Sequence, residues 1–361
     1  YQHIGNIFLN YSLHKRNTWL HKRVFKALGS LKASYLLSSM DTYNRKAFSS
    51  ADTVQLFNRF ATYNGSNPYK APAMLTIIPH LEHNEGVFYP EGGMVSITNA
   101  LYKLSIKKGI RFHFNSPVQN IIHNEGKAVG VVVNNKNIYA PVIISNADVY
   151  FTYGKLANHL PAANKILKQE RSSSAIVFYW GIKKEFPELG LHNILFSNQY
   201  QQEFNSLFVT KSIQEDPTIY INITSKMEPG HAPDGKENWF VMINAPQNVG
   251  QDWDAYKIAL RQKVIEKINR ILETDIEPLI ETEEILDPVG IETKTGSYAG
   301  SLYGSSSNNR MAAFLRHPNF SNYIKGLYLC GGTVHPGGGI PLCFKSAKIA
   351  TEMILAENKH H

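Results

Sequence analysis

The spacing of apolar positions divides the chain into a helical start, a middle of alternating helix and strand, and a glycine-rich end. Residues 5–60 carry apolar side chains at helical intervals with almost no Gly or Pro after Gly29, which predicts helices. Residues 62–74, TYNGSNPYKAPAM, are rich in turn formers and predict a loop, after which a helical or mixed stretch runs to His80.

An α/β pattern begins near Phe88. A glycine pair, Gly92 and Gly93, precedes a predicted helix that Gly109 is placed to end, and the apolar residues of this helix include Ile97, Leu101 and Leu104. Alternation then predicts strands in IRFHF, VQNII and VGVVV, with a hairpin around HNEGKAVG. A buried strand is predicted in YAPVIISNAD.

The second half has a different pattern of apolar residues. Residues 150–288 alternate aromatic strands, such as SAIVFYWGI and TIYINIT, with one long predicted helix over 253–272. We predict that Trp180 and Trp239 of this region lie in the core. The last stretch, GLYLCGGTVHPGGGIPLCFKSAKIATEMILAE, reads as a short strand, a Gly-Pro loop and an amphipathic helix. The pattern as a whole predicts an α/β protein with a second, α+β, sheet-plus-helix domain.

Composition narrows the possible chemistry. The 361 residues are 43% hydrophobic, enough for a large core and two domains. The two cysteines, Cys330 and Cys343, lack zinc-site spacing, and their scarcity predicts a cytoplasmic location. His80 and His83 are the nearest approach to a metal pair, but we predict that they lie on a helix or loop surface, and we expect no metal.

The net charge of +8 is concentrated at the start of the chain, where six basic residues precede the first acidic one: Lys15, Arg16, Lys22, Arg23, Lys26 and Lys32. Apolar residues recur among them at helical spacing, namely Leu20, Val24, Leu28 and Leu31 beside Trp19 and Phe25. Either an ordinary surface helix or a basic helix lying on a membrane fits this pattern. The predicted partner is a membrane surface and not nucleic acid. No uncharged apolar run reaches the ~20 residues that span a bilayer, and no signal-peptide pattern is present, so we expect peripheral attachment.

The glycine-rich loop is the strongest chemical signal. Its order of strand, tight glycine turn and helix suits an anionic ligand, because free backbone N–H groups and the helix dipole face the turn. Its five glycines, which allow close backbone approach, are Gly331, Gly332, Gly337, Gly338 and Gly339. The alternative is a merely tight connection between strand and helix.

The segment GLYLCGGTVHPGGGIPLCFKSAK resembles the C-terminal signature of the bacterial phytoene desaturase and carotenoid desaturase family, which are FAD-dependent flavoproteins related to amine oxidases. Two further segments, FYPEGGMVSITNALYKLSIKKGIRFHFNSPVQNI and VIISNAD, resemble the family's internal landmarks in the same order. LFNRFATYNGSNPYKAPA resembles its substrate-side loop. The resemblance covers nearly the whole chain. It implies desaturation of an acyclic carotenoid, phytoene or a hydroxylated carotene, with hydride transfer to FAD.

The same resemblance implies roles for individual residues. It places Gly331, Gly332 and Thr333 near the flavin's ribityl and phosphate groups. It places the following residues along the rest of the cofactor: Gly338, Gly339, Ile340, Pro341, Val118, Asn146 and Ala147. On the substrate side it places Tyr63, Asn64 and Asn67. His335 would face the flavin or the substrate as a catalytic residue, or would shape the loop by hydrogen bonding.

The chain departs from the family pattern because no Gly-x-Gly-x-x-Gly fingerprint opens it. We therefore expect that an N-terminal βαβ unit is missing, that the Rossmann-like FAD domain is incomplete, and that this chain alone binds FAD weakly and is inactive. The predicted organisation is a helical, substrate- or membrane-facing part (1–78), a first FAD-domain part (79–148), a substrate-domain sheet and helix (149–289) and a C-terminal FAD-domain part (290–361).

Two other functions stay open on the sequence. One is a related flavin-dependent isoprenoid saturase or isomerase. The other is an apolar-ligand or membrane-binding module without catalysis.

Overall fold

The computed structural model describes residues 5–20, 24, 35, 37–157, 160, 163–309 and 316–358. Two compact units are present. Unit 1 consists of Tyr1–Glu85, Asn115–Ser173 and Glu292–His361, and unit 2 consists of Gly86–Phe114 and Ser174–Ile291. These units are defined by compactness and not by which segments face a cofactor or a substrate. The predicted functional division at 78/79, 148/149 and 289/290 therefore stays a prediction.

Unit 1 is mainly helical and contains two small sheets. Its antiparallel sheet is formed by β1 (Val118–Asn124), β2 (Lys127–Val133) and β3 (Lys136–Tyr139), and its parallel pair by β4 (Ile143–Ser145) and β10 (Leu327–Leu329). Its described helices are Gly5–Asn10, Arg16–Trp19, Met40–Ala47, Ala51–Asn58, Ile77–Glu85, Val149–Phe151, Asn164–Leu167 and Ile340–Asn358, with short 3₁₀ turns at Arg59–Asn64, Ala73–Thr76 and Tyr298–Gly300 and a π-helical turn at Thr152–Leu156.

The predicted hairpin is confirmed in unit 1. Asn124 of β1 pairs with Lys127 of β2, so two residues form the turn. Both of them, Glu125 and Gly126, have positive φ, the backbone geometry that a two-residue hairpin loop favours. The predicted buried strand in YAPVIISNAD is confirmed as β4.

Unit 2 is built on an antiparallel sheet in the order β6-β7-β8-β5-β9. The strands are β5 (Ser174–Ile182), β6 (His192–Leu195), β7 (Ile219–Asn222), β8 (Glu237–Ala245) and β9 (Ile280–Leu286). The helices are Val95–Lys107, Tyr200–Asn205 with a π-helical continuation at Ser206–Thr210, Trp253–Leu272 and, across the boundary between the units, Pro288–Thr295, with 3₁₀ turns at Thr224–Lys226, Pro229–His231 and Glu277–Leu279.

The core of unit 2 lies between one face of this sheet and the helix Trp253–Leu272. Alternate residues of β5 and β8 point into it, so Trp180 and Trp239 are buried, as predicted. The helix begins where Asp252 accepts a hydrogen bond from the Ala255 N–H and ends where Glu273 turns left-handed. Its predicted bounds are confirmed.

The prediction of a strand in IRFHF is wrong. Residues 110–114 form no strand in the structure, although the helix predicted before them is present as Val95–Lys107. The alternation reflects aromatic packing, because Phe112 contacts Tyr102 of the helix at a ring distance of 4.9 Å and lies 5.8 Å from Phe114. A strand also needs a neighbouring strand to pair with, and the described part of unit 2 provides none at this segment.

Much of the predicted basic amphipathic helix, including Phe25, Lys26, Leu28, Leu31 and Lys32, lies outside the described residues, as do Lys22 and Arg23. Among its described residues, Leu20 is 73% exposed and Trp19 is 42% exposed, whereas Val24 is buried. In the described part of the chain, no helix is both long enough and apolar enough to cross a bilayer.

Candidate functional site

The parallel strand pair of unit 1 brings two of the predicted segments together. Residues of β10 pair in order with those of β4, and the Cys330 N–H continues the ladder by donating to the Ser145 carbonyl at 3.0 Å. Both strands therefore end at the same edge, where Asn146 follows β4 and Gly331 follows β10. The carboxyl ends of parallel strands are the usual position for ligands in α/β sheets.

The glycine turn, residues 331–339, leads from β10 into the helix Ile340–Asn358. Gly331 has a φ of +106°, and a Cβ at this position would run into the side-chain oxygen of Asn146. A Cβ on Gly338 would lie 2.5 Å from Cδ1 of Tyr303. These two positions require glycine, because one has a left-handed backbone and the other a neighbouring ring in close contact.

The far end of the turn is open. A Cβ on Gly339 would meet no atom within 4 Å, the side chain of Ile340 is 46% exposed, and Pro341 is exposed. A 19-residue helix starts here, and its first turn carries the positive end of the helix dipole, although Pro341 has no N–H and the Cys343 N–H donates to the Gly339 carbonyl at 2.9 Å. An accessible backbone surface with partial positive charge fits the phosphates and the ring of a flavin nucleotide.

Asn319 and Ser346 hold the turn from within. Asn319 Nδ2 donates to the His335 carbonyl at 2.8 Å and to Ser346 Oγ at 2.9 Å, and Ser346 Oγ accepts from the Gly331 N–H at 3.1 Å. Asn319 and Ser346 are fully buried. Because buried polar groups that lose their partners cost free energy, this network fixes the backbone of the turn.

The end of β4 is fixed to the same turn. The Val149 N–H donates to Thr333 Oγ1 at 3.3 Å. Asp148 caps the helix that follows by accepting from the Tyr150 N–H, and its carboxylate forms a buried ion pair with Arg171. The structure thus brings together the predicted cofactor residues Gly331, Gly332, Thr333, Gly338 and Gly339 with Asn146 and Ala147. Val118 lies instead at the exposed start of β1, in the antiparallel sheet.

His335 belongs to the glycine turn and is fully buried. Its Nε2 is 3.0 Å from the carbonyl oxygen of Tyr11, and its ring packs edge-on against Phe8. Burial is the main cause that lowers the pKa of His335 to about 4, so the ring is neutral and donates to this carbonyl at neutral pH. These contacts favour the loop-shaping alternative, and a catalytic role for His335 stays a prediction.

The predicted substrate residues differ in accessibility. Tyr63 is 46% exposed, whereas Asn67 is buried and its side-chain oxygen accepts from the Tyr69 N–H. Asn64 Nδ2 donates to Ser307 Oγ at 2.6 Å, and Asn64 Oδ1 accepts from Arg316. Tyr63 is thus accessible to a ligand, while Asn67 stabilises its own turn.

Other candidate groups have ordinary structural roles. Burial raises the pKa of the Cys330 and Cys343 thiols, so neither is an activated nucleophile. His80 contacts Asn84 within its own helix, and the ring of His83 lies 6.2 Å from that of Phe57. Among the described residues, no group of three or more His, Cys, Asp or Glu side chains has metal-site geometry.

Comparison with known proteins identifies the family. Residues 10–355 match the model of the flavin containing amine oxidoreductases, and the chain belongs to this family. It is 50% identical over 354 residues to a 1-hydroxycarotenoid 3,4-desaturase of Flavobacterium sp. (strain P99-3), covering 98% of this chain and 72% of the relative. It is 31% identical over 347 residues to a phytoene desaturase of Fusarium fujikuroi, covering 89% of this chain and 61% of the relative. The predicted membership of a carotenoid desaturase family is confirmed.

Solved structures support the fold. An oxidoreductase from Methanosarcina mazei superposes with a TM-score of 0.62 at 16% identity, covering 92% of this chain and 72% of that one. A putrescine oxidase variant superposes with a TM-score of 0.57 at 12% identity, covering 97% and 73%. The predicted mixed α/β fold of amine oxidase type is confirmed.

Sequence reasoning missed four residues that build the site. Arg316 and Asn319 come from RHPNF, Tyr303 from SLYGSS and Ser346 from the last helix. They contact the turn only after folding, and none lies in a glycine pattern. The one available signal was a charged and polar run, Arg316 to Asn319, shortly before a buried strand.

Proposed function

We propose that this chain forms part of an FAD-dependent enzyme that desaturates an acyclic carotenoid, either phytoene or a hydroxylated carotene. The observation that carries the proposal is the glycine turn at the carboxyl end of the parallel strands, with its open backbone at Gly339 and the start of a long helix beside it. Family membership and desaturase relatives support the same reaction.

Desaturation requires few acidic or basic side chains. Desaturation removes a hydride and a proton from adjacent carbons, and FAD supplies the two-electron acceptor when bound. This chain's residues bind and orient: Asn319 and Ser346 hold the glycine turn, Tyr303 packs against Gly338, and the start of the last helix supplies the positive end of its dipole.

An aromatic surface in unit 2 supports an elongated apolar ligand. On the sheet face opposite the core, the rings of Tyr179 and Phe240 are 5.5 Å apart, and those of Phe240 and Tyr220 are 6.3 Å apart. Tyr179 is 40% exposed. A row of accessible rings across three adjacent strands suits a flat, apolar chain such as a polyene.

The test uses the full-length natural protein incubated with phytoene or a hydroxylated acyclic carotene. We expect a yellow, flavin-bound protein, a shift of the polyene absorbance to longer wavelength, and bleaching of the flavin under anaerobic conditions. A shift to shorter wavelength would favour a saturase, an unchanged number of double bonds an isomerase, and carotenoid binding without flavin the binding module. Titration of this chain alone with FAD tests the expected weak FAD binding.

Membrane attachment is a second part of the proposal, supported by the exposed Trp19 and Leu20 beside the basic segment. Exchanging Lys15, Arg16, Lys22 and Arg23 for Glu should weaken binding to anionic liposomes, because each basic residue near such a surface contributes about 1 kcal/mol. Co-sedimentation with vesicles measures this. Equal binding of wild type and variant would refute the role of these residues, and neutral vesicles serve as the control.

A further inference from the structure

Arg316 is a buried cation in unit 1. Its residue is 2% exposed, and the guanidinium donates to four acceptors that are all neutral. Nη1 lies 2.8 Å from the Tyr303 carbonyl oxygen and 3.0 Å from that of Gly332, and Nη2 lies 2.6 Å from Asn64 Oδ1 and 3.2 Å from the Ser305 carbonyl oxygen. Its side chain also lies against Gly337, where a Cβ would come 3.3 Å from Nε.

No carboxylate of the described residues forms an ion pair with Arg316. Another buried arginine of the same unit, Arg171, is by contrast paired with Asp148. Burial, and then the charge of Arg171, lower the pKa of Arg316 to about 10, so it stays charged at neutral pH. Removing a charge from water costs several kcal/mol unless the charge gains well-placed hydrogen bonds. The four acceptors around this guanidinium therefore indicate that its position is tightly specified.

The four acceptors come from three separate segments. Gly332 belongs to the glycine turn, Asn64 to the loop predicted on the substrate side, and Tyr303 and Ser305 to the segment whose tyrosine ring packs on Gly338. The planar fork of an arginine has fixed donor directions, and lysine cannot reproduce them. One guanidinium therefore links the Asn64 side chain directly to the Gly332 carbonyl.

We propose that Arg316 is a positioning residue that sets the spacing between the loop bearing Asn64 and the glycine turn, and so couples the substrate side to cofactor binding. This inference rests on the proposed function, because it assumes that the glycine turn holds the flavin. It concerns the flavin's affinity and the carotenoid's KM, and it assigns Arg316 no part in the chemical step.

The test is a double-mutant cycle in the full-length natural protein with Arg316→Lys, Asn64→Ala and the double variant. We expect Asn64→Ala to weaken FAD binding roughly five-fold in the wild-type background and less than about two-fold in the Arg316→Lys background, a coupling typical of residues that share one network. Fluorescence titration gives the FAD dissociation constant, and both single variants should also raise the carotenoid KM more than they lower kcat.

A purely structural role predicts a different result. Both variants would then lower the free energy of unfolding while the FAD affinity and KM of the folded protein stayed at wild-type values, and this outcome would overturn the inference. Additive effects on FAD affinity would also overturn it. If Arg316→Lys folds poorly, Asn64→Ala decides alone: weaker FAD binding by the folded variant supports the inference, and wild-type FAD affinity overturns it.

Arg261→Lys is the matched control. Arg261 lies in unit 2, where it pairs with Glu277 and Glu283, and its exchange should leave FAD affinity unchanged. A wild-type protein that binds no FAD would refute the proposed function itself. Flavin binding with an additive cycle would refute only the role of Arg316.

Discussion

Replacing Gly331 with valine is expected to destabilise the protein by about 3 kcal/mol and to weaken FAD binding roughly ten-fold or more. The φ of +106° at Gly331 is strained for any side chain and most strongly for a β-branched one. The backbone cannot rotate away cheaply, because the Gly331 N–H is tied to the buried Ser346 hydroxyl. Urea denaturation and flavin titration of the folded variant measure the two effects separately.

The control for this substitution is Gly190→Val. Gly190 has space around its Cβ position and no positive φ, so valine there should change both quantities little. If Gly331→Val retained flavin with wild-type affinity, the backbone at this end of the glycine turn would not be a cofactor surface. A loss of stability alone would then reflect strain without any bearing on function.

Local patterns predicted the elements whose signals are complete within a few residues. The helix Trp253–Leu272 has its own N-cap in Asp252, and the β1–β2 hairpin has its own two-residue turn, so both are present as predicted. The strand expected in IRFHF failed because strand formation depends on a distant partner. Alternation alone cannot supply that partner.

The candidate site shows the same division. The glycine turn and the end of β4 could be predicted because glycines and a short apolar strand are local signals, and the parallel pairing of β4 with β10 brings them together. The residues that hold the turn and the strand end in place could not be predicted from the sequence. Arg316 reaches Asn64 across 252 positions of sequence, and no periodicity or motif records a contact of this kind.

His317 and His335 are expected to make the protein less stable near pH 4.5 than near pH 7. Burial is the main cause that lowers the pKa of each to about 4, from an ordinary value of 6.5. Between these values the unfolded chain binds protons that the folded chain does not, so the free energy of unfolding falls as the pH drops through this window. The loss is on the order of 2 kcal/mol for each histidine. Burial also lowers the pKa of the neighbouring His14, which adds to the effect in the same direction.

Acidic residues also contribute to a pH profile, so the decisive quantity is the change of slope in variants. His317→Gln and His335→Gln remove the titrating rings and should flatten the fall in unfolding free energy between pH 7 and about 4.5, whatever their effect at pH 7. The same exchange at the exposed His192, which lies in β6 of unit 2, serves as a substitution control. An unchanged slope in the double variant would mean that protons reach His335 in the folded state. The ring would then be accessible within the glycine turn, which would support the prediction that His335 faces the flavin or the substrate.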